Sequence, residues 1–410
     1  MRNMHYAWVL VIISVFILAA VGFTFYPFGV FLKPITVDLG WDRGALSGAL
    51  SLCIILSGVI GILSGRLSDR FGPRPTVTFG AILCGAAFLL LSLINSLWQV
   101  YLIMGILLGV GSAFCFVPIL PIIPRWFAKR RGIAMGITMS GLGIGGIVTP
   151  LLTQLFISTW GWRWALIILG ILTIVIIVPL AQFLKHSPQQ AGLQPYGGDK
   201  NIGDEQSQSS ALDGFSFSQA IKTRGFWLYG LILICTLFST VTVIIHIVAH
   251  ATDIGISEVQ AASILSTVAA VSIVGRLVVG FLSDRIGGRL ILTICLSLIT
   301  LALIWLLFAN ELWMFYIFAA ILGLANGGFT TLLPIISTEL FGLVSLGVII
   351  GTLGVFMTLG QAIGAPLSGA IFDITGSYRL AFIIAIGVCA VSVIISLVLL
   401  GNKGKTDMAR

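Results

Sequence analysis

Long apolar segments recur through the whole sequence, and each is long enough to cross a bilayer as a helix. A helix rises 1.5 Å per residue, so about 20 apolar residues span the hydrocarbon core. Only 9% of the residues are charged and 58% are hydrophobic, which excludes an ordinary soluble domain. The sequence therefore predicts an all-α membrane protein with twelve transmembrane helices, called spans 1 to 12. We place them at approximately 7–32, 44–65, 75–95, 98–122, 132–157, 163–184, 226–250, 258–281, 290–309, 312–337, 342–371 and 378–400.

Basic residues are distributed unevenly between the two sides of the predicted membrane. With the N-terminus inside, seventeen of the 22 Lys and Arg residues are cytoplasmic, four are outside, and Arg276 lies within span 8. The positive-inside rule therefore predicts that both termini are cytoplasmic. The same distribution explains the net charge of +8 by topology, and we expect no nucleic-acid partner.

The second half of the chain repeats the first. The loop GRLSDRFGPR at 65–74 recurs as GFLSDRIGGR at 280–289, and Pro118 in span 4 is matched by Pro334 in span 10. Both offsets are about 215 residues, so chance similarity is a poor explanation. Parallel repeats of six spans predict two six-helix bundles with a binding site between them.

A polar stretch rich in Gly, Ser, Gln and Asp separates the two repeats. We interpret it as a flexible cytoplasmic linker and predict no structure for its middle. The predicted organisation is an N-terminal bundle at 1–184, a linker at 185–224, a C-terminal bundle at 225–400 and a cytoplasmic tail at 401–410.

The doubled loop resembles the signature loop of the major facilitator superfamily, and the resemblance covers essentially both halves. Within the superfamily, FAKRRGIAMGITMSGLGIGG, WGWRWALIILG and GQAIGAPLSGAIFDITGSYRLAF are similar to the monocarboxylate transporters and their bacterial relatives, which include the oxalate:formate antiporters. The resemblance implies the major facilitator fold and transport of a small organic anion. We expect a monomer without a cofactor, in the cytoplasmic membrane of a bacterium.

Arg276 is the candidate for binding the anion. An arginine this deep in a span costs about 2.5–3.5 kcal/mol to insert, so the position needs a compensating role. All fourteen Asp and Glu residues fall in predicted loops or at span ends, which leaves no acid at its depth. The side chain either reaches the cytoplasmic edge or lines a watery cavity and binds an anion, and we expect the second. Arg276 also matches the substrate-binding arginine that the resemblance implies on span 8.

Ser272 lies one turn from Arg276 and is a second candidate for the substrate site. Human-type monocarboxylate transporters have an aspartate at this position, so the proton must be carried elsewhere in this chain. His246 and His250 on span 7 are the predicted proton carriers, and His246 is also a candidate substrate contact because it should lie deeper. The alternative is a neutral histidine bonded to a backbone carbonyl. Their spacing also suits a metal, but no acidic or cysteine ligand accompanies them, and we predict no metal site.

Further residues are weaker candidates for lining the substrate site, with packing as the alternative role. They are Tyr26 in span 1, Asn326 in span 10 and Phe356 in span 11.

The charge of the predicted site favours a monocarboxylate. Oxalate is a dianion, and its antiporters pair the span-8 arginine with a lysine on span 11, where this chain has neither lysine nor arginine. A buried second charge without a partner would cost several kcal/mol. We therefore predict proton symport of a lactate- or pyruvate-like anion, with an oxalate/formate-type or other organic-anion exchanger as the alternative. No nucleophile with a positioned base is present, so we do not expect an enzyme.

The two signature loops are predicted to form a cytoplasmic gate. Their carboxylates lie where spans 5 and 11 present helix N-termini, which attract negative charge. The alternative is a tight turn whose charges only set topology. The predicted gate residues are Asp69, Arg70, Arg74, Asp284, Arg285 and Arg289.

Overall fold

The predicted spans are present as helices in a computed structural model, which describes residues 6–197 and 214–401. Among these residues, twelve helices are long and apolar enough to cross a membrane, as the sequence predicts. We label them α1 to α12 in chain order. Their bounds are Tyr6–Phe25, Arg43–Phe71, Pro73–Leu91, Leu97–Trp126, Arg131–Trp160, Trp162–Ala181, Arg224–Asp253, Glu258–Ile286, Gly288–Leu306, Leu312–Phe341, Leu346–Thr375 and Arg379–Gly401.

Helix α4 is the least regular of the twelve. It contains a π-helical stretch at Tyr101–Leu108 and a 3-10 turn at Val117–Ile119. The turn includes Pro118, and Pro121 precedes the last helical turn at Ile122–Trp126. Proline lacks a backbone N–H and clashes with the preceding turn, and the two prolines three residues apart account for the interruption of the α-helix at this end of α4.

Glycines bring the same pairs of helices together in both repeats. A Cβ added at Gly141 or Gly145 of α5 would overlap backbone carbonyl oxygens of α1. A Cβ at Gly360 or Gly364 of α11 would do the same against α7. Small residues let helix backbones approach closely in membranes, where packing drives helix association. The internal repeat therefore extends from the sequence to the helix contacts.

The chain divides into two compact units whose boundary differs from the predicted one. The first unit runs to Phe215 and also includes Phe341–Val355, and the second comprises Ser216–Leu340 with Phe356–Arg410. The start of α11 is thus grouped with the N-terminal half. A close approach explains this grouping, because a Cβ at Gly65 of α2 would overlap the backbone of Gly347.

The first part of the linker packs on the end of α4 and has a defined backbone. Tyr196 N donates to Trp126 O at 2.8 Å, and the Tyr196 carbonyl accepts from Ala128 N and Lys129 N at 3.0 and 3.2 Å. The Trp126 indole donates to Lys185 O at 3.1 Å. The predicted unstructured middle of the linker falls largely at 198–213, outside the described residues.

Candidate functional site

Arg276 is buried on α8, with 9% of the residue exposed. It lies ten residues before the end of α8 at Ile286, which corresponds to about 15 Å along the helix axis. An arginine at this depth stays charged, because a guanidinium is not deprotonated in proteins. Helix α8 therefore carries a fixed positive charge well inside the apolar part of the second unit.

The helix that carries Arg276 packs closely on α10. A Cβ at Gly275 would overlap the Leu324 carbonyl oxygen, and a Cβ at Gly327 would overlap the Ser272 carbonyl oxygen. Ser272 is buried and donates its hydroxyl to Ala269 O at 2.7 Å, which leaves the hydroxyl oxygen able to accept.

Asn326, on α10, is half-buried and directly precedes the close contact with the Ser272 backbone. The structure therefore brings the Ser272 and Asn326 positions to one helix crossing, one turn from Arg276.

The two histidines belong to an aromatic cluster near the outer predicted end of α7. The His246 ring lies 5.0 Å from Tyr378, and the His250 ring lies 5.1 Å from Phe382. Tyr378 directly precedes α12 and stacks on Phe372 near the end of α11, at 4.3 Å. Both imidazoles thus belong to one aromatic cluster, with His246 one turn further from the end of α7 than His250.

Helix rise separates His246 from Arg276. His246 lies seven residues before the end of α7, or about 10.5 Å along its axis, whereas Arg276 lies 18 residues after the start of α8, or about 27 Å. The two helices follow each other in the chain and run antiparallel, so helix rise separates the two residues by about 16 Å in depth. One small carboxylate cannot contact both.

Tyr26 and Phe356 occupy different surroundings. Tyr26 follows the last residue of α1 and is 42% exposed, with its ring beside Gly146 of α5. Phe356 is half-buried in α11 and packs edge-on against Phe226 and Trp227 at the start of α7, at 5.9 and 5.8 Å. Aromatic packing accounts for Phe356, while Tyr26 presents an exposed side chain.

The carboxylate of Asp69 binds the first turn of α11. Its Oδ1 accepts from Gly347 N at 3.1 Å and its Oδ2 accepts from Val348 N at 3.0 Å. These amides belong to the first helical turn, where backbone N–H groups have no partner within the helix and favour negative charge. Arg125 Nη2 donates to Oδ1 at 2.7 Å and to Leu343 O at 3.3 Å. We call this set of contacts the Asp69 dock.

His186 completes the Asp69 dock from the linker. Its Nδ1 lies 3.1 Å from Arg125 Nη1, and because a guanidinium can only donate, Nδ1 must accept. The imidazole is therefore neutral, with its proton on Nε2. Burial and the positive charge of Arg125 lower the pKa of His186 to about 4.

The second signature loop has a different arrangement. Asp284 is exposed, and the guanidinium of Arg285 lies over the Phe281 ring at 4.2 Å. Arg289 Nε lies 3.9 Å from Oε2 of Glu339, at the end of α10. Glu339 Oε1 also accepts from Gly288 N at 3.0 Å, at the start of α9.

The remaining predicted gate arginines are exposed and contact neighbouring side chains. The Arg70 guanidinium lies 5.1 Å from the centre of the Phe71 ring, and Arg74 Nε donates to Gln182 Oε1 at 2.7 Å. Among the described residues, no group of three or more His, Cys, Asp or Glu side chains is placed to hold a metal ion.

Sequence reasoning missed Arg125, His186 and Glu339. Arg125 is one of the seventeen basic residues on the predicted cytoplasmic side, and it stands in the apolar run PIIPRWF. An arginine in such a run is a signal for a buried ion pair. His186 and Glu339 stand beside polar residues and carry no comparable signal.

Comparisons with a family profile and with individual proteins agree on one family. A profile described as Major Facilitator Superfamily matches residues 12–250 and 228–408. Similar proteins include monocarboxylate transporter 13 from Bos taurus, 30% identical over 93% of this chain and 86% of the relative, and monocarboxylate transporter 13 from Rattus norvegicus, 29% identical over 93% and 86%. Monocarboxylate transporter 12 from Homo sapiens is 27% identical over 88% of this chain and 72% of the relative.

A solved structure supports the fold. The crystal structure of a variant of the E. coli fucose:proton symporter, FucP, matches 96% of this chain and 98% of its own, with a TM-score of 0.70 and 15% identity. At that identity the similarity concerns the fold alone. The chain belongs to the Major Facilitator Superfamily of multi-pass membrane transporters and is a homologue of its monocarboxylate transporters.

Proposed function

We propose that this transporter moves a small monocarboxylate of the lactate or pyruvate class together with a proton. The buried cation Arg276 on α8 carries the proposal. A guanidinium donates two parallel hydrogen bonds to one carboxylate, a geometry that a lysine ammonium cannot reproduce. Ser272 and Asn326 lie at the adjacent helix crossing and supply polar groups for the rest of a small substrate.

The charge of the site favours one carboxylate over two. Helix α11, which carries the second cation in the oxalate antiporters that the sequence resembles, contains no lysine or arginine. A single guanidinium neutralises a monocarboxylate, whereas a dicarboxylate would leave a buried charge at a cost of several kcal/mol.

His246 is the proposed proton carrier, with His250 as the second choice. The separation of about 16 Å in depth means that the proton and the carboxylate are bound at different levels. In this proposal the imidazole takes up a proton near the outer end of α7, and the substrate binds deeper at Arg276. The Tyr378 ring packs beside this imidazole, with 5.0 Å between the ring centres.

The Asp69 dock is the proposed cytoplasmic gate. It joins the signature loop to the first turn of α11 through two backbone amides and Arg125. Its release would free the start of a helix that continues into the second unit. The second signature loop contributes less in this proposal, because Asp284 is exposed.

The predicted location and oligomeric state remain predictions. Both termini in the cytoplasm and a working monomer are expected from the sequence. The bacterial cytoplasmic membrane is not supported by the relatives reported above, which are mammalian.

Uptake into liposomes tests the function. Labelled lactate, pyruvate, formate and oxalate are supplied outside purified transporter in liposomes, with and without an inward proton gradient. We expect lactate or pyruvate to accumulate only with the gradient, and oxalate to be excluded. Accumulation that requires anion inside the liposomes, and ignores the proton gradient, would establish an exchanger instead.

Two substitutions separate binding from coupling. Arg276→Lys should lower substrate affinity by roughly 10- to 100-fold, since a hydrogen bond to a charged group contributes about 1.5–3 kcal/mol. His246→Gln should abolish accumulation driven by the proton gradient while preserving exchange at equal pH. Arg379→Lys, at an exposed position at the start of α12, is the matched control and should retain both activities. Unchanged affinity in Arg276→Lys would contradict the proposed site.

A further inference from the structure

We propose that His186 is a positioning residue that holds Arg125 on the Asp69 carboxylate only while its imidazole is neutral, so that cytoplasmic acidification weakens the Asp69 dock. The inference rests on the proposed gating role of this dock. It does not depend on the substrate.

The geometry gives His186 one possible role in the contact. Arg125 uses Nη2 for Asp69 and Leu343, and it uses Nη1 for the imidazole. The imidazole nitrogen, at 3.1 Å, can only be an acceptor. His186 therefore fixes the rotation of the guanidinium about the bond that aims Nη2 at the carboxylate.

Protonation would convert this hydrogen bond into a repulsion. The imidazolium carries N–H on both nitrogens, so Nδ1 could no longer accept from Arg125. Two positive charges would then face each other in a buried position. Arg125 would have to turn away or His186 would have to leave, and either movement removes a donor from Asp69 Oδ1.

The other charged groups around His186 do not offset that repulsion. Lys185 is its neighbour in the chain and directs its ammonium over the Tyr6 ring at 4.9 Å. Arg74, in the signature loop, donates to Gln182 at the end of α6. Asp69 is already bonded to Arg125 Nη2, and the charged group in direct contact with the imidazole, at 3.1 Å, is the guanidinium of Arg125.

The sign of the pH dependence follows from the two states. In the docked state, burial and Arg125 lower the pKa of His186 to about 4, whereas a released, solvated imidazole titrates near 6.5. The contribution of His186 to the stability of the docked state is thus fully present above pH 6.5. It decreases as the pH falls from 6.5 towards 4. The ratio of docked to released molecules should fall about tenfold between pH 7.5 and 5.5.

Distances within the first unit provide the test. Spin labels are placed at Phe71→Cys, at the end of α2, and Val344→Cys, two residues before α11, which are both exposed positions. The distance distribution is recorded without substrate at pH 7.5, 6.5 and 5.5. We expect the ratio of the longer-distance population to the docked population to be about ten times higher at pH 5.5 than at pH 7.5.

Three variants distinguish positioning from mere packing. His186→Gln keeps an acceptor for Arg125 and cannot titrate, so the docked population should persist at every pH. His186→Ala removes the acceptor and should show released molecules even at pH 7.5. His5→Gln removes another histidine on the predicted cytoplasmic side and should respond to pH like the parent. An equal pH response in His186→Gln, or none in the parent, would overturn the proposal.

A titration of His186 by NMR gives an independent measurement. Ring-labelled histidine is followed from pH 8 to 3.5, and the His186 signal is assigned by its loss in His186→Gln. The signal should titrate far below 6.5 in the parent and move towards 6.5 in Arg125→Gln. A midpoint near 6.5 in the parent would contradict the inference, and uptake assays would still decide the transported substrate separately.

Discussion

The motifs at 65–74 and 280–289 are similar in sequence and in the φ angle of their glycines, but they form different ion pairs. Each turn ends its helix at a glycine with positive φ, 87° at Gly72 and 91° at Gly287. In the first repeat the acid of the pair, Asp69, belongs to the motif and lies in the last turn of α2, and the base, Arg125, lies at the end of α4. In the second repeat the base, Arg289, belongs to the motif and lies in the first turn of α9, and the acid, Glu339, lies at the end of α10.

Both acids cap a helix, but the helices differ. Asp69 accepts from the amides of Gly347 and Val348, almost three hundred residues away in the chain, whereas Glu339 accepts from Gly288, which is local to its own repeat. The repeat thus preserves the turn but not its partners. A repeated motif therefore does not imply a repeated function, and we expect the two loops to respond differently to matched substitutions.

The largest difference is expected from the glycine that lets α2 reach α11. A Cβ at Gly65 would overlap the Gly347 carbonyl, so Gly65→Ala cannot keep the Asp69 dock in its present geometry. Such overpacking typically costs about 1–3 kcal/mol, and we expect about 3 kcal/mol for Gly65→Ala because the overlap is with backbone. The Phe71–Val344 label pair should show chiefly released molecules. Gly354→Ala on α11, where a Cβ meets nothing within 4 Å, is the control and should remain docked.

Removing the loop carboxylates comes next. Asp69→Asn keeps the size and one acceptor but loses the negative charge that both Arg125 and the start of α11 require. We expect a loss of about 2–3 kcal/mol in dock stability, because hydrogen bonds to charged groups contribute about 1.5–3 kcal/mol. Asp284→Asn should change the ratio of docked to released molecules, measured with the same label pair, by less than twofold, since Asp284 is exposed. Equal effects of the two substitutions would show that both loops act as gates.

The sequence predicts the helices of this protein but not the partners of its charged residues. The length of the apolar segments and the repeated motif can both be read directly from the sequence. The twelve helices and the doubled fold therefore follow from them. The depth of Arg276 also follows, because it is set by counting along one helix. The partner of Asp69 depends on helix packing between residues far apart in the chain, and no local pattern encodes it.

The histidines show the same limit in another form. Spacing along α7 predicts that His246 lies deeper than His250. In the structure Tyr378, from the turn before α12, packs against both rings at 5.0 and 6.3 Å and places them in one cluster. The side chains that surround a residue depend on where neighbouring helices end, and the sequence of a single helix does not report that.

Substitution of the arginine in each ion pair, Arg125 or Arg289, should give a smaller contrast between the two repeats. Arg125→Gln leaves the Asp69 carboxylate with its two amide donors but without a counter-charge in a mostly buried setting. We expect a loss of about 2 kcal/mol in dock stability, somewhat below the cost of breaking a fully buried pair. Arg289→Gln should cost under about 1 kcal/mol, because its pair with Glu339 is long and partly exposed. Melting temperatures in detergent should rank the two in this order.

The smallest effect is expected at Glu339, and it tests whether the second loop is a structural cap. The carboxylate accepts from Gly288 N at the start of α9, and its side chain is 34% exposed. Glu339→Gln keeps an oxygen for that bond and loses only the charge, whose interaction with a helix N-terminus contributes about 0.3–1 kcal/mol. The melting temperature should fall slightly, by less when salt is raised, because salt screens exposed charges. The Phe71–Val344 distances should not change, since both labels lie in the first unit. A shift of those distances in Glu339→Gln would show that the second loop also controls the start of α11, and the asymmetry between the loops would fail.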